Sequence, residues 1–105
     1  MEILSMEQIV MELVINGGNA RSKAMAAIKA AKGGDFELAK EKIKEANEAL
    51  NKAHDFQTKL IQKEAAGESV EISLLMVHAQ DHLMNAMTVR DLAKEMVFMY
   101  EEFRK

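Results

Sequence analysis

The sequence contains no proline, and its five glycines fall at only three places: Gly17-Gly18, Gly33-Gly34 and Gly67. Proline removes a backbone donor and clashes with the preceding helical turn, so a chain without it can carry long uninterrupted helices. The remaining residues are dominated by Ala, Glu, Lys, Leu and Met, which lose little on entering a helix. The expected fold class is all-α. At 105 residues the chain is expected to form one domain, 1–105.

Two breaks organise that domain. Gly33-Gly34-Asp35 and Ala66-Gly67-Glu68-Ser69 each join a helix-ending glycine to a helix-starting Asp or Ser. They divide the chain into three segments of about 30 residues, each about 45 Å long if fully helical. Short connections between long helices predict an up-down-up antiparallel three-helix bundle.

In the first segment the apolar stripe is Met6, Ile9 or Val10, Leu13, Gly17, Ala20, Ala24, Ile28 and Ala31. Gly17-Gly18 has two readings: a break or kink before Asn19, or a thin edge that admits a neighbouring backbone. The second segment buries Phe36, Ala39, Ile43, Ala46, Leu50, Ala53, Gln57 and Leu60, and its charged face is read as solvated. The third, from about Val70, has two stripes. One is Ile72, Leu75, Met76, Ala79, Leu83, Ala86, Arg90, Ala93, Val97, Tyr100 and Phe103 or Arg104; the other is Leu74, Val77/His78, Asp81, Met84/Asn85, Thr88, Leu92 and Met99. A helix in a lone bundle needs one apolar face, so two predict contact on both sides. Five of the nine methionines lie in this segment, which suits adaptable packing. Homo-oligomerisation through the third helix, with closed symmetry, is expected.

Composition narrows the function classes. Without cysteine there is no disulfide, thiolate nucleophile or cysteine-based zinc site. The start, Met1-Glu2-Ile3-Leu4, lacks the basic region of a signal peptide, and no run approaches the roughly 20 apolar residues that span a bilayer. A net charge of −3 without basic clusters argues against nucleic acid as a partner. A cytoplasmic protein is expected.

The chemistry concentrates in Met76–Met84. His78, Asp81 and His82 share one helical stripe inside an otherwise apolar stretch. Imidazole is a competent nucleophile near neutral pH when one nitrogen is free and the other is oriented. A mononuclear metal site is the rival reading, but adjacent Asp81 and His82 diverge by about 100° around the helix. The Glu-x-x-His and His-Glu-x-x-His patterns of metal-binding helices are absent. Asp81 has two further readings: a hydrogen-bond partner for a histidine, or a carboxylate at the axis of a symmetric oligomer. Like charges gathered there need a proton or a hard divalent cation such as magnesium. His54, beside Ala53 and Gln57 on the second segment, is read as a partly exposed structural histidine that edges the site at most.

The stretch Val77-His78-Ala79-Gln80-Asp81-His82-Leu83-Met84 resembles the signature of the lactose/cellobiose-type enzyme IIA components of the bacterial sugar phosphotransferase system. Ile15-Asn16-Gly17-Gly18-Asn19-Ala20-Arg21-Ser22, Lys32-Gly33-Gly34-Asp35-Phe36 and Ala53-His54-Asp55-Phe56-Gln57-Thr58-Lys59-Leu60 resemble further motifs of the cellobiose and chitobiose branch, so the likeness runs from about Met6 to Tyr100. Ala79 fits that branch rather than the lactose side.

The resemblance implies a homotrimer with the third helices around its axis. It implies His78 as phosphoryl acceptor on Nε2, and Asp81 at the axis, where three copies hold one divalent ion, magnesium for preference. Gln80 and His82 take supporting roles. The implied partners are the histidine phosphocarrier protein as donor and the cysteine of a IIB component as acceptor. The membrane is reached only indirectly, through the IIC transporter, during uptake of a β-linked disaccharide. The alternative, from another class, is a metal-stabilised helical oligomer that serves as a binding or scaffold module.

Overall fold

Helix ends in this chain are set by local chemistry. In the computed structural model, which describes residues 5–105, three helices follow one another: α1 (Met6–Lys32), α2 (Phe36–Ala65) and α3 (Leu74–Phe103). There is no strand among the described residues, and the opening Met1-Glu2-Ile3-Leu4 lies outside them. Ser5 and Gln8 form a reciprocal capping box at the start of α1. Asp35 caps α2 by accepting from the Leu38 N–H, and Ser73 caps α3 by accepting from the Met76 N–H.

Both glycine breaks end their helices in the same way. Asp35 N–H donates to the Ala30 carbonyl and Gly34 N–H to Ala31, and Glu68 and Gly67 repeat the pattern on Lys63 and Glu64. This paired geometry requires a left-handed residue, and Gly34 (φ 89°) and Gly67 (φ 88°) supply it.

The expected start of the third helix near Val70 is corrected: α3 begins at Leu74, four residues later. Both Ser69 and Ser73 are capable caps, and the choice is tertiary. Val70 packs against the core between α2 and α3, so the chain from Gly67 to Ser73 is used in crossing between the two helices. Ile72 therefore precedes the helix and is 76% exposed rather than part of its buried stripe. Ser73→Ala is expected to cost about 1 kcal/mol in denaturant unfolding, and Ser69→Ala close to nothing. The reverse ranking would place the cap at Ser69.

Of the other expected stripe members facing the core, Leu75, Phe103 and Arg104, at the two ends of α3 where fewer neighbours pack over the helix, are exposed, and the rest are buried or partly buried. α1 contributes Ile9, Val10, Leu13, Ala20, Ala24, Ala27 and Ala31; α2 contributes Ala39, Ala46, Ala49, Leu50, Ala53 and Leu60; α3 contributes Met76, Ala79, Leu83, Ala86, Ala93 and Val97. Large side chains gather at one end, where Leu13, Leu50, Leu60, Met76 and Leu83 meet, while alanines dominate the other. The His78 stretch thus lies over the more heavily packed half of the core. α1 packs extensively on both partners, and α2 meets α3 over less of its length.

The charged face of α2 is not purely a solvated surface. Lys40 reaches Glu101 of α3 at 3.1 Å, and Glu45 meets Lys23 of α1 at 3.2 Å and Lys42 at 3.3 Å. The hydrogen bond from Lys23, with Lys42 beside it, holds the Glu45 carboxyl below its usual range against the opposing effect of desolvation. Arg90 donates to the Asn47 side chain at 2.7 Å, and Arg104 donates to the Lys32 carbonyl at 2.9 Å, satisfying one of the terminal acceptors of α1.

Candidate functional site

Measured from the centre of the buried stripe of α3, His82 lies about 60° around the helix, His78 about 100° and Asp81 about 160°. Those angles determine what each side chain meets. His82 is half-buried, whereas His78 and Asp81 are exposed. The two imidazole rings stack, with centroids 5.8 Å apart and planes inclined by 19°. His78 therefore stands at an open face with one side of its ring against His82. Leu74, Leu75, Val77 and Met84 are exposed large apolar side chains on the same helix and its first turns.

Beneath His82 lies Gly17-Gly18. α1 runs unbroken through this pair, and a methyl group on Gly17 would lie 3.1 Å from His82 Cδ2 and 3.6 Å from the Leu83 backbone. One on Gly18 would lie 3.2 Å from His82 Nε2. Of the two readings of this pair, close packing is the one realised. The glycines are the residues near the site whose part could not be read from spacing along one helix, because the ring they admit is on another.

Asp81 points away from the core, and its Oδ2 accepts a hydrogen bond from the Asn85 side chain at 3.3 Å. It is not bonded to either neighbouring histidine. Gln80 lies about 200° around the helix from His78, where its Oε1 accepts from Gln57 of α2 at 2.7 Å. Within one chain, then, the structure brings His78 and His82 together and leaves Gln80 and Asp81 on other sides of α3. His54 is exposed on α2. Among the described residues no three His, Asp or Glu side chains converge closely enough to hold a metal ion.

The arrangement offers one exposed imidazole with a second ring beside it. No paired carboxylate flanks it for acid–base work, so the chemistry it suits is accepting a group from a reactant that presents its own leaving group. Exposed apolar side chains on the same helix suit a macromolecular donor. None of the helices is long and apolar enough to cross a membrane among the described residues.

Comparison with known proteins places nearly the whole chain in one family. The family model described as "PTS system, Lactose/Cellobiose specific IIA subunit" matches residues 8–101. The lichenan-specific phosphotransferase enzyme IIA component of Bacillus subtilis (strain 168) is 60% identical over 97 residues, covering 92% of this chain and 88% of that protein. The crystal structure of the PTS cellobiose-specific enzyme IIA from Bacillus anthracis superposes with a TM-score of 0.93 at 51% identity, covering 98% of this chain and 94% of that one. A solution structure of the IIA(Chitobiose)–HPr complex of Escherichia coli superposes with a TM-score of 0.85 at 45% identity, covering 98% and 100%. The chain belongs to the lactose/cellobiose-specific IIA subunits of the sugar phosphotransferase system, as a component of the cellobiose/chitobiose type.

Proposed function

We propose that this chain is a phosphocarrier in which His78 accepts a phosphoryl group from the histidine phosphocarrier protein and passes it to the cysteine of a IIB component. The observation that carries the reading is the exposed His78 ring, stacked on His82, in a chain of this family. The Nε2 lone pair of His78 attacks phosphorus as the bond from phosphorus to the donor imidazole breaks, and the donor leaves with that electron pair. In the second step the IIB thiolate attacks phosphorus, and His78 Nε2 leaves as neutral imidazole. Each step asks for alignment and charge stabilisation more than for covalent help. His78 is the fifth residue of α3, so its Cα lies about 6 Å along the axis from the helix N-terminus, whose partial positive charge has the favourable sign for a phosphoryl group.

The donor assignment is supported by the HPr complex of the chitobiose-specific relative. The transported sugar belongs to the β-linked disaccharide class, in keeping with the lichenan, cellobiose and chitobiose relatives. The protein acts in the cytoplasm and meets the membrane through the IIC transporter. Incubation of the wild-type protein with the phosphorylated phosphocarrier, followed by intact-mass measurement, should give an acid-labile phosphoryl adduct. An unmodified protein would instead leave the scaffold reading.

The assembly proposed with this function is a homotrimer with α3 around the axis. Its support is the outer face of α3, where Leu74, Val77, Met84, Leu92, Met96, Met99 and Phe103 are all exposed on the single chain. Exposure on this scale on one helix marks an interaction surface. Asp81 lies on that same face. One chain supplies one carboxylate, and three copies at an axis would supply an all-oxygen set that suits magnesium or a similar hard ion. A bound ion would neutralise the gathered charge; no step of phosphoryl transfer passes through it. Asp81→Leu should remove the like-charge cluster and leave the trimer intact or tighter, as read by sedimentation. Monomers for both wild type and variant would remove the axial placement.

A further inference from the structure

We propose that Gly18 is a positioning residue for the phosphoryl acceptor: its missing side chain leaves the space in which the His82 ring lies, and that ring holds His78. The inference rests on the phosphocarrier reading of His78. Two glycines in the interior of a 27-residue helix are unfavourable for that helix, and nothing in its geometry requires them, since α1 continues unbroken and neither residue has a positive φ. What requires them is the ring above. A methyl group at position 18 would lie 3.2 Å from His82 Nε2 and 4.0 Å from Cε1, closer than side-chain carbons ordinarily approach a ring nitrogen.

The two positions differ in what can move. At Gly17 the new methyl meets His82 Cδ2 at 3.1 Å and the backbone of Leu83 at 3.6 Å, and Leu83 is fully buried. At Gly18 it meets only the far end of the imidazole, which can tilt by a few tenths of an ångström. Gly18→Ala is therefore compatible with the fold and displaces one group, the His82 ring. That ring is the nearly parallel neighbour of the exposed His78 ring, with centroids 5.8 Å apart. A surface histidine has two free side-chain torsions, and a packed neighbour on one ring face restricts both. Displacing His82 thus shifts or loosens the nucleophile without touching it.

The consequence is an opposition between helix stability and phosphoryl transfer at one position. Gly18→Ala should leave the melting temperature unchanged or raise it by a few degrees. It should also lower the saturating rate of phosphoryl uptake by about tenfold, with the KM for the donor unchanged. A double-mutant cycle separates this from a direct clash with the donor. With the ring removed in His82→Ala, adding Gly18→Ala should change neither the rate nor the His78 ring resonances in 15N–1H and 13C–1H spectra, whereas in the wild-type background it should change both. Equal losses with and without the His82 ring, or an unchanged rate and unchanged His78 resonances in Gly18→Ala, would overturn the proposal. Failure of the wild-type protein to take up phosphate overturns the phosphocarrier reading instead. The resonance comparison needs no transfer and still decides whether Gly18 positions His78.

Discussion

His78→Ala is expected to abolish the acid-labile phosphoryl adduct completely while leaving the fold and its melting temperature unchanged. The loss is total because no other group takes over the reaction. His54, the other exposed imidazole, is on α2, and His82 is half-buried with its Nε2 end over Gly18. The stability is unaffected because His78 is exposed and lies outside the buried stripe of α3, and substitutions at such positions usually stay within about 0.5 kcal/mol. Acid lability is the discriminating property: a phosphorus–nitrogen bond breaks once the ring nitrogen is protonated, whereas a phosphate ester on Ser or Thr survives. An adduct that persists in His78→Ala would move the acceptor elsewhere, and His54→Ala in that background would show whether α2 carries it.

The largest expected effect on stability belongs to Leu83→Ala. Leu83 is 0% exposed and, with Leu13, is one of the two largest fully buried side chains. It sits in the cluster that joins Ile9, Val10 and Leu13 of α1 to Leu50 and Leu60 of α2, and its backbone faces Gly17. Removing most of its side chain forfeits the transfer free energy and leaves a cavity that long, close-packed helices cannot readily collapse. The expected cost is about 3 kcal/mol. It should be read from the urea midpoint at fixed protein concentration with the slope unchanged, since assembly shifts apparent stability by mass action. A cost below about 1 kcal/mol would mean that the helices close over the gap. Because Leu83 follows His82, the same variant should also slow phosphoryl uptake, while Leu13→Ala, at similar depth but on α1, should affect stability foremost.

Most of the architecture was legible in the residues. The absence of proline, the Gly33-Gly34 and Gly67 breaks and the 3–4 spacing of alanines and leucines prescribe three long helices, because capping and amphipathicity are set within one turn or one face. The spacing of His78, Asp81 and His82 put all three on one stripe of α3 but left open whether Asp81 bonds a histidine; in the structure it bonds Asn85 while the two rings lie together. The start of α3 was not legible. Ser69 and Ser73 are equivalent as caps, and the packing of Val70 against the core selects between them. The charge pairs Lys40–Glu101 and Lys23–Glu45 were equally hidden, because they join residues far apart in the chain.

The sequence by itself therefore determined the helical class, the number of helices and the family resemblance, all of which follow from local propensity, periodicity and contiguous motifs. Only the tertiary structure decided what Gly17-Gly18 are for and what Gln80 meets. The glycines read equally well as a kink or a thin edge until α3 is laid against α1 and the His82 ring occupies the space they leave. One helix already sets Gln80 about 200° from His78, but that Gln57 donates to it appears only once α2 is packed against α3. In both cases the deciding contact joins two helices, and a spacing along one helix carries no information about which partner will face it.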